Sequence, residues 1–185
     1  MEANLRTKVS KYMSYLLRHN PEGLAMDELG FVDFEELLGK LRSRFSVNRK
    51  YILELIEEGN RRRFEIVGSK IRALYGHSLS VELELEEDGA VKTLYHGTTQ
   101  EAASRVLKEG LKTMGRKWVH LSPTPEVAKQ VGLRRTLNPA ILQIDAEAAR
   151  RNGLKFYKAT GEVYLCKALA PKYVRNVTKP KRSSK

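Results

Sequence analysis

Apolar residues recur at helical spacing in three segments of the first sixty residues, and this periodicity predicts helices over 9–18, 34–41 and 51–58. The second predicted helix follows Asp33 and the third follows Asn48. Both residue types are favoured N-caps, because their side chains accept hydrogen bonds from the free N–H groups of the first turn. The chain therefore begins with three short amphipathic helices.

A β-hairpin is predicted directly after these helices. Residues 64–67 and 71–75 are two β-prone segments around the turn Gly68-Ser69. Three helices followed by a hairpin are typical of a winged-helix domain, a frequent nucleic-acid-binding scaffold. The third helix carries several glutamates, however, which suits reading of the DNA major groove poorly. Residues 79–85 alternate apolar and acidic positions, which predicts an exposed strand or linker edge.

After Gly89 the pattern changes to short strands alternating with short helices, which predicts an α+β fold. The predicted strands are 94–96, 118–121, 140–144, 156–157, 163–165 and 173–177. The predicted helices are 101–109, 125–131 and 146–151. We therefore expect a first domain over 1–88, a second over 89–177, and a basic tail over 178–185.

The charge of the chain favours a polyanionic partner. Its 185 residues include 34 Lys and Arg against 22 Asp and Glu, a net charge of +12. Residues 1–80 contribute +3 and residues 81–185 contribute +9. Nucleic acid is the commonest partner of so basic a protein. A membrane partner is not expected, because no apolar run approaches spanning length and no signal peptide is recognisable.

Cysteine and histidine usage narrows the picture further. The single Cys166 cannot support an intrachain disulfide framework, which suits a reducing compartment, and we expect a cytoplasmic protein. Four scattered histidines and one cysteine give no metal-ligand spacing, so no metal site is expected.

Two histidines lie on separate predicted strands of the second half. His96 precedes Gly97 at the predicted end of one strand, where backbone groups are free and a glycine lets a flat ring approach closely. A His-Gly pair alone is typical of an ordinary turn, but His120 on another strand strengthens the interpretation as a site. In the first half, Arg18-His19 lies at a predicted helix C-terminus, where both residues also complement the helix dipole.

Several short motifs occur in a particular order along the chain. They are Ser14-Tyr15-Leu16-Leu17-Arg18-His19, Asp27-Glu28-Leu29-Gly30, Arg63-Phe64-Glu65, Ile71-Arg72-Ala73, Gly76-His77-Ser78, Leu94-Tyr95-His96-Gly97-Thr98, Val119-His120-Leu121-Ser122, Val131-Gly132-Leu133-Arg134 and Lys172-Tyr173-Val174. With these motifs the chain resembles the RNA 2′-phosphotransferase family, NAD-dependent enzymes that remove the 2′-phosphate left at an RNA splice junction. The resemblance covers residues 9–177.

The resemblance implies a winged-helix domain joined to an ADP-ribosyltransferase-like domain, with NAD as co-substrate and RNA carrying a 2′-phosphate as partner. The implied catalytic residues are Arg18, His19, Arg72 and Arg134. The implied NAD-binding residues are His96, Gly97, Thr98, His120, Leu121 and Ser122. Because the arginines come from both domains, we expect the site in the cleft between them.

The implied reaction has two steps. The RNA 2′-phosphate attacks the anomeric carbon of the nicotinamide ribose, and nicotinamide leaves. The ribose 2″-hydroxyl then attacks phosphorus, which gives 2′-hydroxyl RNA and ADP-ribose 1″,2″-cyclic phosphate. Arginines suit the charge on the phosphate oxygens because guanidinium groups are planar and permanently charged. His19 would transfer a proton or donate a hydrogen bond, and both roles stay open.

The chain departs from the family pattern at three places. The family usually reads Arg-Ala-Asn-Gln-Gly-His-Ser where this chain has Leu74-Tyr75 in the middle, and near the end it favours Asn-Gly-Val where this chain has Gly161-Glu162-Val163. The family often has Arg-His-Gly where this chain has Arg134-Arg135-Thr136, so the choice of Arg134 over Arg135 depends on the preceding Val-Gly. Many ADP-ribosyltransferases have a catalytic Glu where this family has an apolar residue, here Val163. Glu162 would then face the other side of the pleat.

Two other functions stay open at this stage. One is a winged-helix nucleic-acid-binding protein without catalytic activity, which would show no thermal shift with NAD. The other is an ADP-ribosyltransferase acting on phosphorylated nucleic-acid ends, because an arginine cluster would accept any suitably presented phosphomonoester.

Overall fold

The computed structural model describes residues 2–59 and 62–178 and contains both helices and antiparallel strands, as the sequence predicts. The chain divides into two compact units, Met1–Glu84 and Leu85–Lys185. Each unit has its own hydrophobic core. Most of the predicted basic tail, residues 179–185, lies outside the described residues. Among the helices of the described ranges, none has both the length and the apolar character that crossing a membrane requires.

Unit 1 consists, in its described part, of three helices and one three-stranded antiparallel sheet. Its elements are α1 (Glu2–Arg18), β1 (Val32–Asp33), α2 (Phe34–Arg42), α3 (Arg49–Glu57), β2 (Phe64–Val67) and β3 (Lys70–Ala73). The strand order is β1-β3-β2, so the predicted hairpin is confirmed and gains β1 on its second strand.

Both predicted N-caps of unit 1 are confirmed. The Asp33 carboxylate accepts hydrogen bonds from the N–H groups of Glu35 and Glu36, and the Asn48 side chain accepts one from Tyr51. These bonds satisfy donors that no earlier helical turn can reach. The caps therefore fix where α2 and α3 begin.

The core of unit 1 forms where one face of α1 meets the other two helices and the sheet. Val9, Met13, Leu16 and Leu17 on that face are completely buried. A following segment closes the end of α1, because the N–H groups of Ser78 and Leu79 donate to the Arg18 carbonyl at 2.9 and 3.3 Å. The C-terminal turn of α1 is thereby fixed to a chain segment that follows the hairpin.

Of the two expectations for residues 79–85, the exposed strand is wrong, whereas the linker edge agrees with the boundary between the units, which follows Glu84. Val81 is buried, and the N–H of Glu82 donates to the Glu28 carbonyl at 2.8 Å, but the segment pairs with no strand of the described residues. The alternating pattern instead reflects an irregular segment whose apolar side chains are buried or half-buried while Glu82 and Glu84 are exposed. A short strand follows at Glu86–Glu87 and pairs with a strand of unit 2, which starts at Leu85.

Unit 2 contains two antiparallel sheets with helices packed on them. Its elements are β4 (Glu86–Glu87), β5 (Thr93–Thr98), α4 (Gln100–Glu109), β6 (Val119–Leu121), α5 (Pro125–Gly132), β7 (Ala140–Asp145), α6 (Ala146–Arg151), β8 (Phe156–Thr160), β9 (Val163–Cys166), a 3₁₀ turn (Pro171–Tyr173) and β10 (Val174–Asn176). The sheet orders are β10-β7-β5 and β4-β8-β9-β6. Tyr95 and Ser122 link the two sheets through a pair of backbone hydrogen bonds of 2.8 and 2.7 Å.

Strand register decides which side chains of the four-stranded sheet are buried. Phe156, Cys166 and Val119 lie opposite one another on β8, β9 and β6, and all three are buried in the core. Side chains alternate between the two faces of a strand. The next residues along, among them Tyr157 and His120, therefore share the opposite face of this sheet.

The packing of α5 on β5 is unusually close. A Cβ atom built on Gly97 would lie 1.7 Å from the Ala128 carbonyl oxygen, and one built on Gly132 would lie 2.5 Å from Cβ of Pro139. Strand and helix are thus in backbone contact. Position 97 requires glycine because any side chain would overlap the helix backbone at this contact.

We expect the Gly97→Ala substitution to lower the free energy of unfolding by about 3 kcal/mol, because the added methyl overlaps a backbone carbonyl that cannot rotate away. The matched control is Gly161→Ala, where an added Cβ meets no atom within 4 Å. Urea denaturation of both variants measures the difference. Equal stability of the two variants would contradict the close contact.

The thiol of Cys166 serves as a second test of the core. Burial raises the pKa of this thiol to about 12. Since the thiolate is the reactive species, we expect no reaction with a disulfide reagent at pH 8 in the native protein and one thiol per chain after denaturation. Rapid native labelling would mean that β9 opens far more readily than a core strand.

Candidate functional site

Arg18 lies at the end of α1 between aromatic rings. Its guanidinium carbon is 4.9 Å from the ring centroid of Tyr75 and 5.9 Å from that of Phe64. Gly76, at φ +90°, forms the adjoining wall, since a Cβ there would lie 3.4 Å from Nη1 of Arg18. The contacts hold the guanidinium in one orientation, as cation–π geometry favours.

His19 follows directly and contacts the segment that closes α1. Its Nδ1 lies 3.0 Å from the Ser78 hydroxyl, which itself lies 3.4 Å from the Arg18 carbonyl. A hydroxyl that donates to that carbonyl accepts from Nδ1–H, which leaves Nε2 as the atom for other contacts. The structure thus brings Arg18, His19 and Ser78 together.

Arg72 on β3 is held by a carboxylate. Its Nε and Nη2 donate to the Glu65 carboxylate at 2.9 and 2.8 Å, and its guanidinium carbon lies 4.4 Å from the ring centroid of Phe31. The exposed Glu84 carboxylate is 3.7 Å from Nη2. The Arg72 side chain is only 12% exposed, and its buried Nη1 has no hydrogen-bond partner among the described residues. One edge of the guanidinium therefore donates to Glu65, while Nη1 is available to an acceptor.

The two predicted strand histidines of unit 2 are in contact. Nδ1 of His96 lies 3.0 Å from the His120 carbonyl oxygen. A carbonyl only accepts, so Nδ1 carries the proton and Nε2 of the neutral ring is an acceptor. The backbone pairing of Tyr95 with Ser122 holds the two strands at this distance.

Burial lowers the pKa of His96 from its ordinary value of 6.5; the hydrogen bond to the His120 carbonyl opposes this shift, and the positive charge of Arg135 adds to it. The imidazole is therefore neutral at neutral pH, with a fixed acceptor at Nε2.

The remaining residues of the implied NAD pocket differ in how they are placed. His96 and Gly97 were expected at or just past a strand end, but they lie inside β5, paired with β7, and β5 continues to Thr98. Thr98 and Ser122 are buried, at 6% and 5% exposure. The side chain of Leu121 belongs to the hydrophobic core, so only its backbone is available to a ligand.

The two arginines left open by the sequence follow α5. Arg134 and Arg135 are both exposed, and their N–H groups donate to the carbonyls of Val131 and Gly132 at 3.3 and 3.0 Å. The charge of Arg135 is close enough to influence His96. Both arginines therefore stay candidates.

Glu162 is partly buried and directly precedes β9, whose first residue Val163 pairs with Thr160. Its backbone N–H lies 3.3 Å from the Thr160 hydroxyl.

An aromatic cluster that sequence reasoning missed lies on the same sheet face as His120. The rings of Trp118 and Tyr157 meet edge to face at 5.3 Å, and Nζ of Lys167 lies 3.9 Å from the Trp118 ring centroid. The indole Nε1 of Trp118 is buried without a hydrogen-bond partner among residues 2–59 and 62–178. No local signal in the sequence joins these three residues, because they are far apart in the sequence and meet only through the pairing of β6, β9 and β8.

Glu65 is a second residue that the sequence analysis did not assign to the site, although a signal for it was present. A two-residue hairpin turn at Gly68-Ser69 places Glu65 directly opposite Arg72, and this is the observed register. Opposite charges at such positions attract each other. The Arg72–Glu65 pair was thus predictable from the predicted hairpin alone.

Two further observations concern metal binding and cavities. In the described part of the chain, no group of three or more His, Cys, Asp or Glu side chains is arranged to hold a metal ion. A cavity of about 390 Å³ lies in unit 1, and its lining residues are Leu53, Ile56, Glu57, Gly59, Arg62, Phe64, Glu65 and Ile66. None of these is among the predicted site residues.

Comparison with known proteins gives a consistent result. Residues 4–168 match the model of the family described as "RNA 2′-phosphotransferase, Tpt1 / KptA family". The chain is 46% identical to a probable RNA 2′-phosphotransferase of Pyrococcus furiosus over 88% of this chain and 90% of the relative. It is 42% identical to one of Rhizobium leguminosarum bv. trifolii over 94% and 95%, and 39% identical to one of Archaeoglobus fulgidus over 91% and 79%.

The lowered pKa of His96 predicts a pH dependence. In the range below about pH 6.5 the unfolded chain binds a proton at this histidine more readily than the folded one. The stability that comes from neutral His96 is therefore fully present above that pH and is lost as the pH falls towards the folded pKa. NMR titration of the imidazole should give a midpoint below 6.5.

The Arg135→Ala substitution should raise that midpoint, because it removes a positive charge. Arg151→Ala is the control, since Arg151 is exposed and pairs with Glu147 at 3.1 Å. A His96 midpoint at or above 6.5 in the unsubstituted protein would contradict the burial of its ring.

Proposed function

Because the chain belongs to the RNA 2′-phosphotransferase family, we propose that it removes an internal RNA 2′-phosphate of the tRNA splice-junction type by transferring it to the ADP-ribose part of NAD. The main structural support for this proposal is the buried guanidinium of Arg72. One of its edges donates to Glu65, and its Nη1 has no hydrogen-bond partner among the described residues. Such a group is suited to bind an oxyanion, because it is already oriented and partly desolvated.

In this proposal unit 1 has the winged-helix fold and unit 2 has the ADP-ribosyltransferase-like fold. Three helices followed by an antiparallel hairpin support the first assignment. Two small antiparallel sheets linked at Tyr95 and Ser122 support the second. The two units then have different roles. Unit 1 binds the RNA phosphate with Arg18 and Arg72, and unit 2 binds the dinucleotide.

The reaction has two displacements. An oxygen of the RNA 2′-phosphate attacks the anomeric carbon of the nicotinamide ribose, the glycosidic bond breaks, and nicotinamide leaves. The ribose 2″-hydroxyl then attacks phosphorus, its proton passes to the departing RNA 2′-oxygen, and the RNA is released with a free 2′-hydroxyl. The other product is ADP-ribose 1″,2″-cyclic phosphate.

Residues of the chain stabilise the negative charge of the phosphate and interact with the proton that leaves the 2″-hydroxyl. Guanidinium groups of Arg18, Arg72 and Arg134 stabilise the negative charge on the phosphate oxygens in the second displacement, which is the largest kind of effect available to such a site. His19, with Nδ1 on Ser78, presents Nε2, which either transfers the proton or, in the imidazolium form, donates a hydrogen bond to the phosphate.

The proposed dinucleotide site fits the residues present. Neutral His96 offers Nε2 as an acceptor, which suits a hydroxyl or amide donor of a nucleotide. His120 shares its sheet face with Trp118, whose buried indole N–H has no acceptor among the described residues and so suits an acceptor on a ligand. NAD, when bound, would supply the reactive glycosidic bond, and these residues would orient it.

Incubation of an RNA carrying one internal 2′-phosphate, with and without NAD, tests the proposal. We expect 2′-hydroxyl RNA, nicotinamide and the cyclic phosphate only when NAD is present, because in the proposed reaction the ADP-ribose part of NAD accepts the phosphate. An RNA with a terminal phosphate distinguishes the alternative activity, which would leave ADP-ribose attached to the RNA end. Release of inorganic phosphate without NAD would exclude the proposed reaction.

Single substitutions test the arginines. We expect Arg72→Ala to reduce the rate about 10²- to 10³-fold, as expected for loss of a group that stabilises transition-state charge. Of Arg134→Ala and Arg135→Ala, the one with the comparable loss identifies the arginine of unit 2. Arg105→Ala is the control, because Arg105 is exposed on α4 and lies 3.8 Å from Glu101. Near-normal turnover by Arg72→Ala would remove Arg72 from the mechanism.

A further inference from the structure

We propose that Glu65 is the positioning residue of Arg72, holding the guanidinium by Nε and Nη2 so that Nη1 is directed at the RNA 2′-phosphate. The inference rests on the proposed function, in which Arg72 binds that phosphate. It adds a carboxylate to a site whose other assigned groups are cationic or neutral.

The positioning begins with the backbone. Glu65 and Arg72 are directly opposite on β2 and β3, and Phe31, next to β1, continues the same row on the other side of Arg72. The guanidinium therefore has the carboxylate on one flank and the ring of Phe31 at 4.4 Å on the other. Both neighbours are fixed by strand register, so they define the plane of the guanidinium.

The pairing with Glu65 determines which N–H groups of Arg72 remain available to a ligand. A guanidinium has five N–H donors, and Glu65 takes the Nε and Nη2 side at 2.9 and 2.8 Å. Nη1 is buried and has no acceptor among the described residues. A buried donor without an acceptor is unfavourable, so a site that keeps one is prepared for an acceptor brought by a ligand. A phosphate oxygen is the strongest such acceptor.

The carboxylate has a cost, because it repels the phosphate that Arg72 attracts. Arg62 reduces this repulsion, since its Nη2 lies 3.6 Å from Oε1 of Glu65. Arg62 and Arg72 are balanced in charge by Glu65 and the exposed Glu84, whose carboxylate lies 3.7 Å from Nη2 of Arg72. Because Arg62 offsets the Glu65 charge and solvent screens the exposed Glu84, we expect orientation by Glu65 to strengthen phosphate binding more than its charge weakens it.

Binding without turnover provides the test. Two oligonucleotides of one sequence, with an internal 2′-phosphate or a 2′-hydroxyl, are titrated in the absence of NAD, and the ratio of their affinities isolates the contribution of the phosphate. We expect Glu65→Ala to lower this ratio about tenfold, the usual size of an orienting effect. Glu65→Gln, which keeps the shape and one acceptor oxygen, should restore part of it. Glu35→Ala, which removes the exposed partner of Arg49, should leave the ratio unchanged.

A double substitution separates this inference from the proposed function. If Glu65 acts through Arg72, then Glu65→Ala changes the ratio no further in the Arg72→Ala background. A ratio lowered by Arg72→Ala but not by either Glu65 variant overturns the positioning role and leaves the function intact. A ratio unaffected by Arg72→Ala overturns the assignment of the phosphate to Arg72 itself. Tighter phosphate binding by Glu65→Gln overturns the inference as well, because the carboxylate would then only oppose the phosphate.

Discussion

The backbone contact between β5 and α5 is the constraint on which the candidate residues of unit 2 depend. Gly97 leaves no room for a methyl group between the strand and the Ala128 carbonyl, so the helix lies against the strand that carries His96. The helix ends at Gly132, just before Arg134 and Arg135. The arginine segment is therefore held near the imidazole, and the effect of the Arg135 charge on the pKa of His96 follows from this packing.

In unit 1 the arginine side chains are positioned in a different way. Arg72 is placed by the register of a three-stranded sheet, with a carboxylate and an aromatic ring on its two flanks. Arg18 is placed by the end of a helix and by two aromatic rings. In both cases an aromatic face holds the guanidinium, and in Arg72 hydrogen bonds to Glu65 also orient it. Such contacts restrict a long side chain before any ligand arrives, which reduces the entropy lost on binding.

Features that depend on near neighbours in the sequence were predictable. The caps at Asp33 and Asn48 and the hairpin around Gly68-Ser69 depend on residues within a few positions, and all are observed. Features that depend on distant partners were not. The continuation of β5 through Gly97 requires β7, far along the chain. Residues 79–85 would form a strand only with a partner strand, and the described part of the chain offers them none. The same reason explains why the Trp118 cluster escaped notice.

The candidate groups differ in how their charge depends on pH, and this difference bears on how they would work together. Arginine side chains are cations at every accessible pH, whereas His96 is neutral above its lowered pKa. A phosphomonoester gains its second negative charge near pH 6, so it is the strongest partner for arginines above that value. The acceptor form of His96 and the dianionic form of an RNA 2′-phosphate thus prevail in the same pH range. The arginines and His96 are matched in this way to neutral pH, because neither changes its charge there.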